Sequence, residues 1–317
     1  MKYSKWLDEW YENYVEPTGK QNTKDSYYAI KEKRLKVVFG EYELSELTPR
    51  VLQRYVTDLL RSGNDKTGKG LSANTVNGIV TVIQATLKLA YETGETKEYT
   101  ADKIKRPKAS ETKVSCFTRA EQRKIEKAVL LSKKRKMAGV LICLYTGLRI
   151  GELLALTWDD VDLKKCELTV NTACHDYYDA DGYKRITELP KTTASKRVIP
   201  IPKQLVCLFR RQKLGAVSRY VVETENGDPV SMRSYQRSFE LLLNRAKVAR
   251  KNFHSLRHTF ATRALECGMD VKTLSEVLGH KNANVTLTRY AHSLIEHKRE
   301  MMNRLGKSFS QSFSLEI

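Results

Sequence analysis

The 317-residue sequence predicts a mainly α-helical protein of two domains, with a small antiparallel β-sheet confined to the second. Three observations predict it. Capped stripes of apolar residues at 3.6-residue spacing fill the first hundred positions. A polar, basic stretch broken by Pro107 then interrupts that pattern. Beyond it, short alternating runs between 166 and 201 stand inside an otherwise helical region. The length exceeds one ordinary domain, and 41% hydrophobic residues supply a core for each of two.

The elements follow in order. Residues 1–97 read as a bundle of four helices. Residues 21–39 form a charged amphipathic helix. LTPRVLQRYVTDLLRSG follows, with Thr48 as N-cap, Pro49 at the first helical position and Gly63 past the end. Its Val51, Leu52, Tyr55, Val56, Leu59 and Leu60 keep one helical stripe. LSANTVNGIVTVIQATLKLAYETG repeats the plan between Ser72 and Gly94. Residues 98–115 read as a linker and 116–317 as the second domain. That domain opens on a capping box formed by Thr118 and Glu121, followed by a buried helix at 136–147. Two or three strands are expected near 166–173, 184–190 and 196–201, with a hairpin tip at DYYDADGYK. RYVVE (219–223) suggests one more strand. Helices are expected near 231–248, 254–267, 270–278 and 283–290.

Charge narrows the function. Residues 1–107 hold 18 Lys and Arg against 15 Asp and Glu, whereas 108–317 hold 38 against 22. So concentrated an excess favours a polyanionic partner, above all nucleic acid, over a merely solubilising surface. The six cysteines are scattered without a C-x-x-C pair, and several sit in apolar runs as small hydrophobes. MKYSKWLDEWYENY is too polar for a secretory leader, and MAGVLICLYTGL (137–148) is too short to span a bilayer. No membrane association is expected, and a reducing cytoplasmic compartment is.

The segment NFHSLRHTFATRALECG (252–268) places His254, Arg257 and His258 on one helical face. The i, i+4 histidines have the spacing of a zinc helix, but Ser255 replaces the usual glutamate and the surroundings are basic. No metal and no cofactor are therefore expected. Arg257 beside His254 suits the two non-bridging oxygens of a phosphodiester better. In YTGLRIGELLAL, Arg149 emerges from an apolar run with Glu152 one turn on. It reads equally as a surface ion pair. Lys191 stands in a polar turn of LPKTTASKRVIPIP, where most lysines are solvated and idle. VLGHKNANVTLTRYAHS adds His280 and Tyr290, the latter one of 16 tyrosines.

Together, TGLRIGEL, LPKTTASKR, HSLRHTFAT and LGHKNANVTLTRYAH resemble, in that order, the tyrosine recombinases or phage-type integrases. The resemblance spans nearly the whole chain. It implies a helical, SAM-like core-binding domain and a catalytic domain closing as a C-shaped clamp on DNA. It implies Arg149, Lys191, His254, Arg257 and His280 as catalytic residues and Tyr290 as the nucleophile. Lys184 and Lys196 compete with Lys191 for the lysine's role. The implied reaction integrates or excises a mobile element through a 3′-phosphotyrosine link and a Holliday junction. Double-stranded attachment sites, a homotetramer on DNA and an excision or directionality factor are the implied partners. The tail SFSQSFSLEI would mediate protomer contacts, and the nucleoid of a bacterial or phage-infected host would be the setting. The long region between 169 and 197 favours a mobile-element integrase over a Xer-type dimer resolvase. On the same resemblance, residues 1–97 are expected to be the core-binding domain, and no arm-binding domain is expected ahead of it. A non-catalytic DNA-binding regulator and a relaxing topoisomerase are the other readings.

Overall fold

The computed structural model describes residues 1–109, 115–179, 182–188, 196–280, 299, 302–306 and 309. The chain divides into two compact units, Met1–Thr112 and Lys113–Ile317. Both are mainly helical, and the strands lie in the second.

In the first unit, α1 (Tyr3–Trp10) continues into a π-helical turn, Tyr11–Val15. Its buried Tyr3, Trp6, Leu7 and Trp10 recur at helical spacing and so face one core. The polar tips of these aromatics are satisfied inside it. Tyr3 Oη lies 2.7 Å from the Thr86 hydroxyl, and Trp6 Nε1 donates to the Thr86 carbonyl at 3.0 Å. The charged helix expected over 21–39 is continuous. It comprises α2 (Gln21–Ile30), a π-helical stretch Lys31–Leu35 and α3 (Lys36–Phe39). Lys31 is buried there because Asp8 and Glu32 neutralise it at 2.6 and 2.9 Å. α4 (Pro49–Ser62) and α5 (Ala73–Glu92) start at Thr48 and Ser72, whose hydroxyls accept from Val51 and Thr75 N–H. Inside the stretch read as a linker, Ala101–Lys103 forms a 3₁₀ turn. Ala101 and Ile104 are buried in this unit's core, and the Gln84 amide donates to the Ala101 carbonyl at 2.9 Å.

The second unit opens with α6 (Arg119–Leu130), and both halves of the Thr118–Glu121 capping box are formed. α7 (Ala138–Thr146) and α8 (Ile150–Ala155) follow. Next come β1 (Val161–Asp162), β2 (Glu167–Val170), β3 (Ala173–Asp179), β4 (Gly182–Glu188) and β5 (Arg197–Pro200). β1, β2 and β5 make one antiparallel sheet, with Leu168 opposite Ile199. β3 and β4 pair only with each other, so their hairpin is an insertion between two neighbouring strands. α9 (Lys203–Leu214), α10 (Met232–Arg245), α11 (His254–Glu266) and α12 (Val271–Leu278) complete the described elements.

Residues 219–223 are not the strand that RYVVE suggests. Their backbone makes only two isolated antiparallel bridges, Tyr220 with Thr157 and Glu223 with Pro229. In the first, Val221 N–H donates to the Leu156 carbonyl and the Arg219 carbonyl accepts from the Trp158 N–H. Glu223 turns its carboxylate onto the Val217 and Ser218 amides at 3.0 and 2.8 Å. The helix expected near 283–290 lies outside the described residues, as does the tail beyond 309. Among the described residues, no helix is long and apolar enough to cross a membrane.

Candidate active site

Two helix ends build the site. α7 is apolar on every side, as AGVLICLYT dictates, and is buried except at Tyr145. Such a helix meets solvent only where it stops. It stops at Gly147 in the left-handed conformation, φ 69°, where a Cβ would stand 2.6 Å from Phe260. Two residues on, Arg149 has extended backbone as the N-cap of α8. Glu152 turns back to accept from the Arg149 N–H at 2.9 Å and from its Nη1 at 2.8 Å.

α12 also ends on a left-handed glycine, Gly279, φ 64°. The last carbonyls of a helix lack intrahelical donors. Here arginines collect them. Arg257 Nη2 donates to the Leu278 carbonyl at 2.7 Å and Nη1 to the Gly147 carbonyl at 2.8 Å. Arg149 reaches the Leu278 and Gly279 carbonyls at 3.4 and 3.3 Å. Arg197 donates through Nε to the Val277 carbonyl at 2.6 Å, while Nη1 and Nη2 hold Glu152 at 3.1 and 2.9 Å.

Arg149 and Arg197 hold the Glu152 carboxylate and Arg257 meets Arg149 on the Leu278 carbonyl, so these three guanidinium groups and one carboxylate carry a formal excess of two positive charges. The negative ends of two helix dipoles offset part of that excess. Burial alone would raise the Glu152 pKa, but the hydrogen bonds and charge of Arg197, then the charge of Arg149, pull it down to about 2. Arg257 is 2% exposed, whereas the Arg149 side chain is 38% exposed and can meet a ligand.

α11 supplies the histidines. Asn252 caps its start, accepting from the Ser255 N–H at 3.0 Å and the Ser255 hydroxyl at 3.1 Å. His254, the first helical residue, is exposed, and Arg257 one turn later points inward. His258 is half-buried, its ring edge-to-face with His254 at a centroid distance of 4.6 Å. Among the described residues, no group of three His, Cys, Asp or Glu side chains is gathered.

Of the six residues expected in the site, four are described. Arg149 and Arg257, far apart in sequence, share the Leu278 carbonyl. His280 follows Gly279 directly, and its amide donates to the Ser275 carbonyl at 3.0 Å. His254 sits one turn before Arg257. Lys191 and Tyr290 lie outside the described residues. Lys184 sits on β4 opposite Tyr177, and Lys196 is exposed just before β5.

Arg197 is the residue that sequence reasoning missed. Its signal was legible. In RVIPI a period of two puts Arg197 on the buried face with Ile199. An arginine on a buried face requires an acid or carbonyl partner.

The matches to known proteins agree with this geometry. A model of the phage integrase family matches residues 116–297, and one of the phage integrase N-terminal SAM-like domain matches residues 2–60. The tyrosine recombinase XerC-like protein of Caldanaerobacter subterraneus subsp. tengcongensis is 32% identical over 284 residues, 81% of this chain and 70% of that one. The ICEBs1 integrase of Bacillus subtilis is 25% identical over 296 residues, 90% of this chain and 78% of that one. The Tn1549 transposon integrase, solved in complex with a circular intermediate DNA, superposes with a TM-score of 0.80 at 22% identity. The match covers 96% of this chain and 99% of that one.

Proposed function

The chain belongs to the phage integrase family of tyrosine recombinases, enzymes that cleave and rejoin DNA through a tyrosine, and from that premise we propose how it does so and on what. The substrate is a pair of double-stranded attachment sites of a mobile element, and the active form is a homotetramer on DNA. An excision or directionality factor is its further partner. The observation that carries the chemistry is the meeting of Arg149 and Arg257 on one carbonyl oxygen, inside a cluster with two surplus positive charges.

Attack on a phosphodiester adds a fifth oxygen to phosphorus and builds negative charge on the non-bridging oxygens. Fixed guanidinium donors stabilise that charge without reorganising at the moment of reaction. Arg149, the more exposed of the pair, contacts those oxygens, with Arg257 behind it. A phenol with a pKa of about 10 is a weak nucleophile, so Tyr290 needs a base, and His254 at the exposed start of α11 is the candidate. Tyr290 Oη bonds to phosphorus, the bond to the 5′ oxygen breaks, and Lys191 supplies the proton that oxygen takes up. The resulting 3′-phosphotyrosine keeps the phosphoester bond, so a 5′-hydroxyl from another strand can reverse the step without ATP. His280 hydrogen-bonds the same phosphate.

Xer-type dimer resolution is the second reading, favoured by the 32% identity to a XerC-like recombinase. The hairpin of β3 and β4, seven residue pairs long and inserted between β2 and β5, favours the mobile-element role. The test is incubation with nicked suicide duplexes carrying the junctions of the host element. Denaturation-resistant adducts that disappear in Tyr290→Phe are expected. Adducts on the host's chromosome-dimer site alone would select the Xer reading, and adducts on neither would overturn both.

A further inference from the structure

We propose that Arg197 is a positioning residue for DNA cleavage, holding the Arg149 guanidinium and the segment that ends in His280 in one fixed relation. The proposal rests on the recombinase reading above and assigns a duty to a residue outside the expected set. Arg197 is in no position to touch DNA, because its side chain is 6% exposed. What it touches is both halves of the site. Its two Nη atoms clasp Glu152, the carboxylate that also holds Arg149 through Nη1 and the backbone N–H. Its Nε donates at 2.6 Å to the Val277 carbonyl, three residues before His280.

Arg149 also spans Glu152 and the α12 end, but its contacts to the Leu278 and Gly279 carbonyls are longer, 3.4 and 3.3 Å. Glu152 belongs to α8 and Val277 to α12, and the planar fork, with donors on three nitrogens, holds the carboxylate at two points and the carbonyl at a third in fixed geometry. Gly279 shows how closely the two fit, since a Cβ there would stand 2.9 Å from Arg197 Nη1. The arginine also begins β5, whose register is set by pairing with Val170 of β2. The central sheet thereby fixes the hub. Without the Arg197 charge, Glu152 keeps Arg149 as its one ion-pair partner among the described residues. That pulls Arg149 toward the carboxylate and away from a phosphate, and it frees the α12 end to move.

The test compares R197K, which keeps the charge but has no fork, with R197M and with the doubly neutral R197M/E152Q. R197M leaves a buried carboxylate half-paired and can fail to fold, so R197K and the double variant carry the experiment. For R197K, we expect DNA affinity within about threefold of wild type and single-turnover cleavage slowed at least about tenfold. Faster amide hydrogen exchange at residues 277–280 should accompany it. R197M/E152Q should fold and cleave at about the rate of E152Q alone, since both changes act through one contact. Wild-type rates in R197K, unchanged exchange at 277–280, or a strictly additive double variant would each overturn the proposal. If wild type forms no adduct on any DNA, the recombinase reading itself fails. A wild type that forms adducts and an R197K that matches its rate would sink the positioning role alone and leave the recombinase reading standing.

Discussion

Arg257 and His258 are neighbours in sequence with different surroundings. Arg257 is buried and ties the ends of α7 and α12 through the Gly147 and Leu278 carbonyls, while His258 lies half-buried against the His254 ring. Arg257→Ala should therefore cost about 10²–10³-fold in single-turnover cleavage, the scale of a lost charge-stabilising donor. His258→Ala should leave the rate of the folded protein within about threefold and lower the unfolding temperature instead. Cleavage kinetics beside a thermal melt separates the two. Glu152 predicts a pH dependence. Its pKa is pulled down from 4.5 to about 2 in the folded protein, so its stabilising contribution is full above about pH 4.5 and lost as pH falls toward 2. Melting curves between pH 2 and 5 should show a steeper acid loss for wild type than for Glu152→Gln. Equal slopes would mean that the carboxylate is not held this way.

At the scale of elements, the helix ends matter more than the helix bodies. Gly279 combines φ 64° with a neighbouring guanidinium where a Cβ would go, so Gly279→Ala should destabilise by more than about 1 kcal/mol and slow cleavage. Thr118→Ala removes an acceptor for the Glu121 N–H and should cost about 1 kcal/mol with cleavage intact. Chemical denaturation of both variants checks the contrast. The hairpin is pinned at its middle, where Asp176 accepts from Tyr183 Oη, Arg185 Nε and the Met232 N–H that opens α10. These element limits were legible because caps and glycines act locally: Thr48, Ser72, Thr118, Gly147 and Gly279 mark real boundaries. RYVVE reaches only isolated bridges, to Thr157 and Pro229, because strand propensity cannot tell how long a partner runs alongside.

On the scale of the molecule, positive charge is concentrated beyond residue 108, and DNA affinity should fall steeply with salt. A linear fall of log affinity with log salt concentration is the expected result, and a flat line would remove phosphate contact as the source of binding. On the proposed mechanism, guanidinium groups carry the charge that metals supply elsewhere, so added chelator should leave cleavage unchanged. By itself, the sequence determined the class of fold, the helix limits and the family, since periodicity, capping and ordered motifs are local and survive without coordinates. It also named Arg149, Lys191, His254, Arg257, His280 and Tyr290 as candidates, of which Lys191 and Tyr290 lie outside the described residues. Only the tertiary structure decided that Arg149 and Arg257 share one carbonyl and that Arg197 stands behind Glu152. Those contacts join α7, α8, α11, α12 and β5, and which carbonyls are left for an arginine depends on where each helix ends in space.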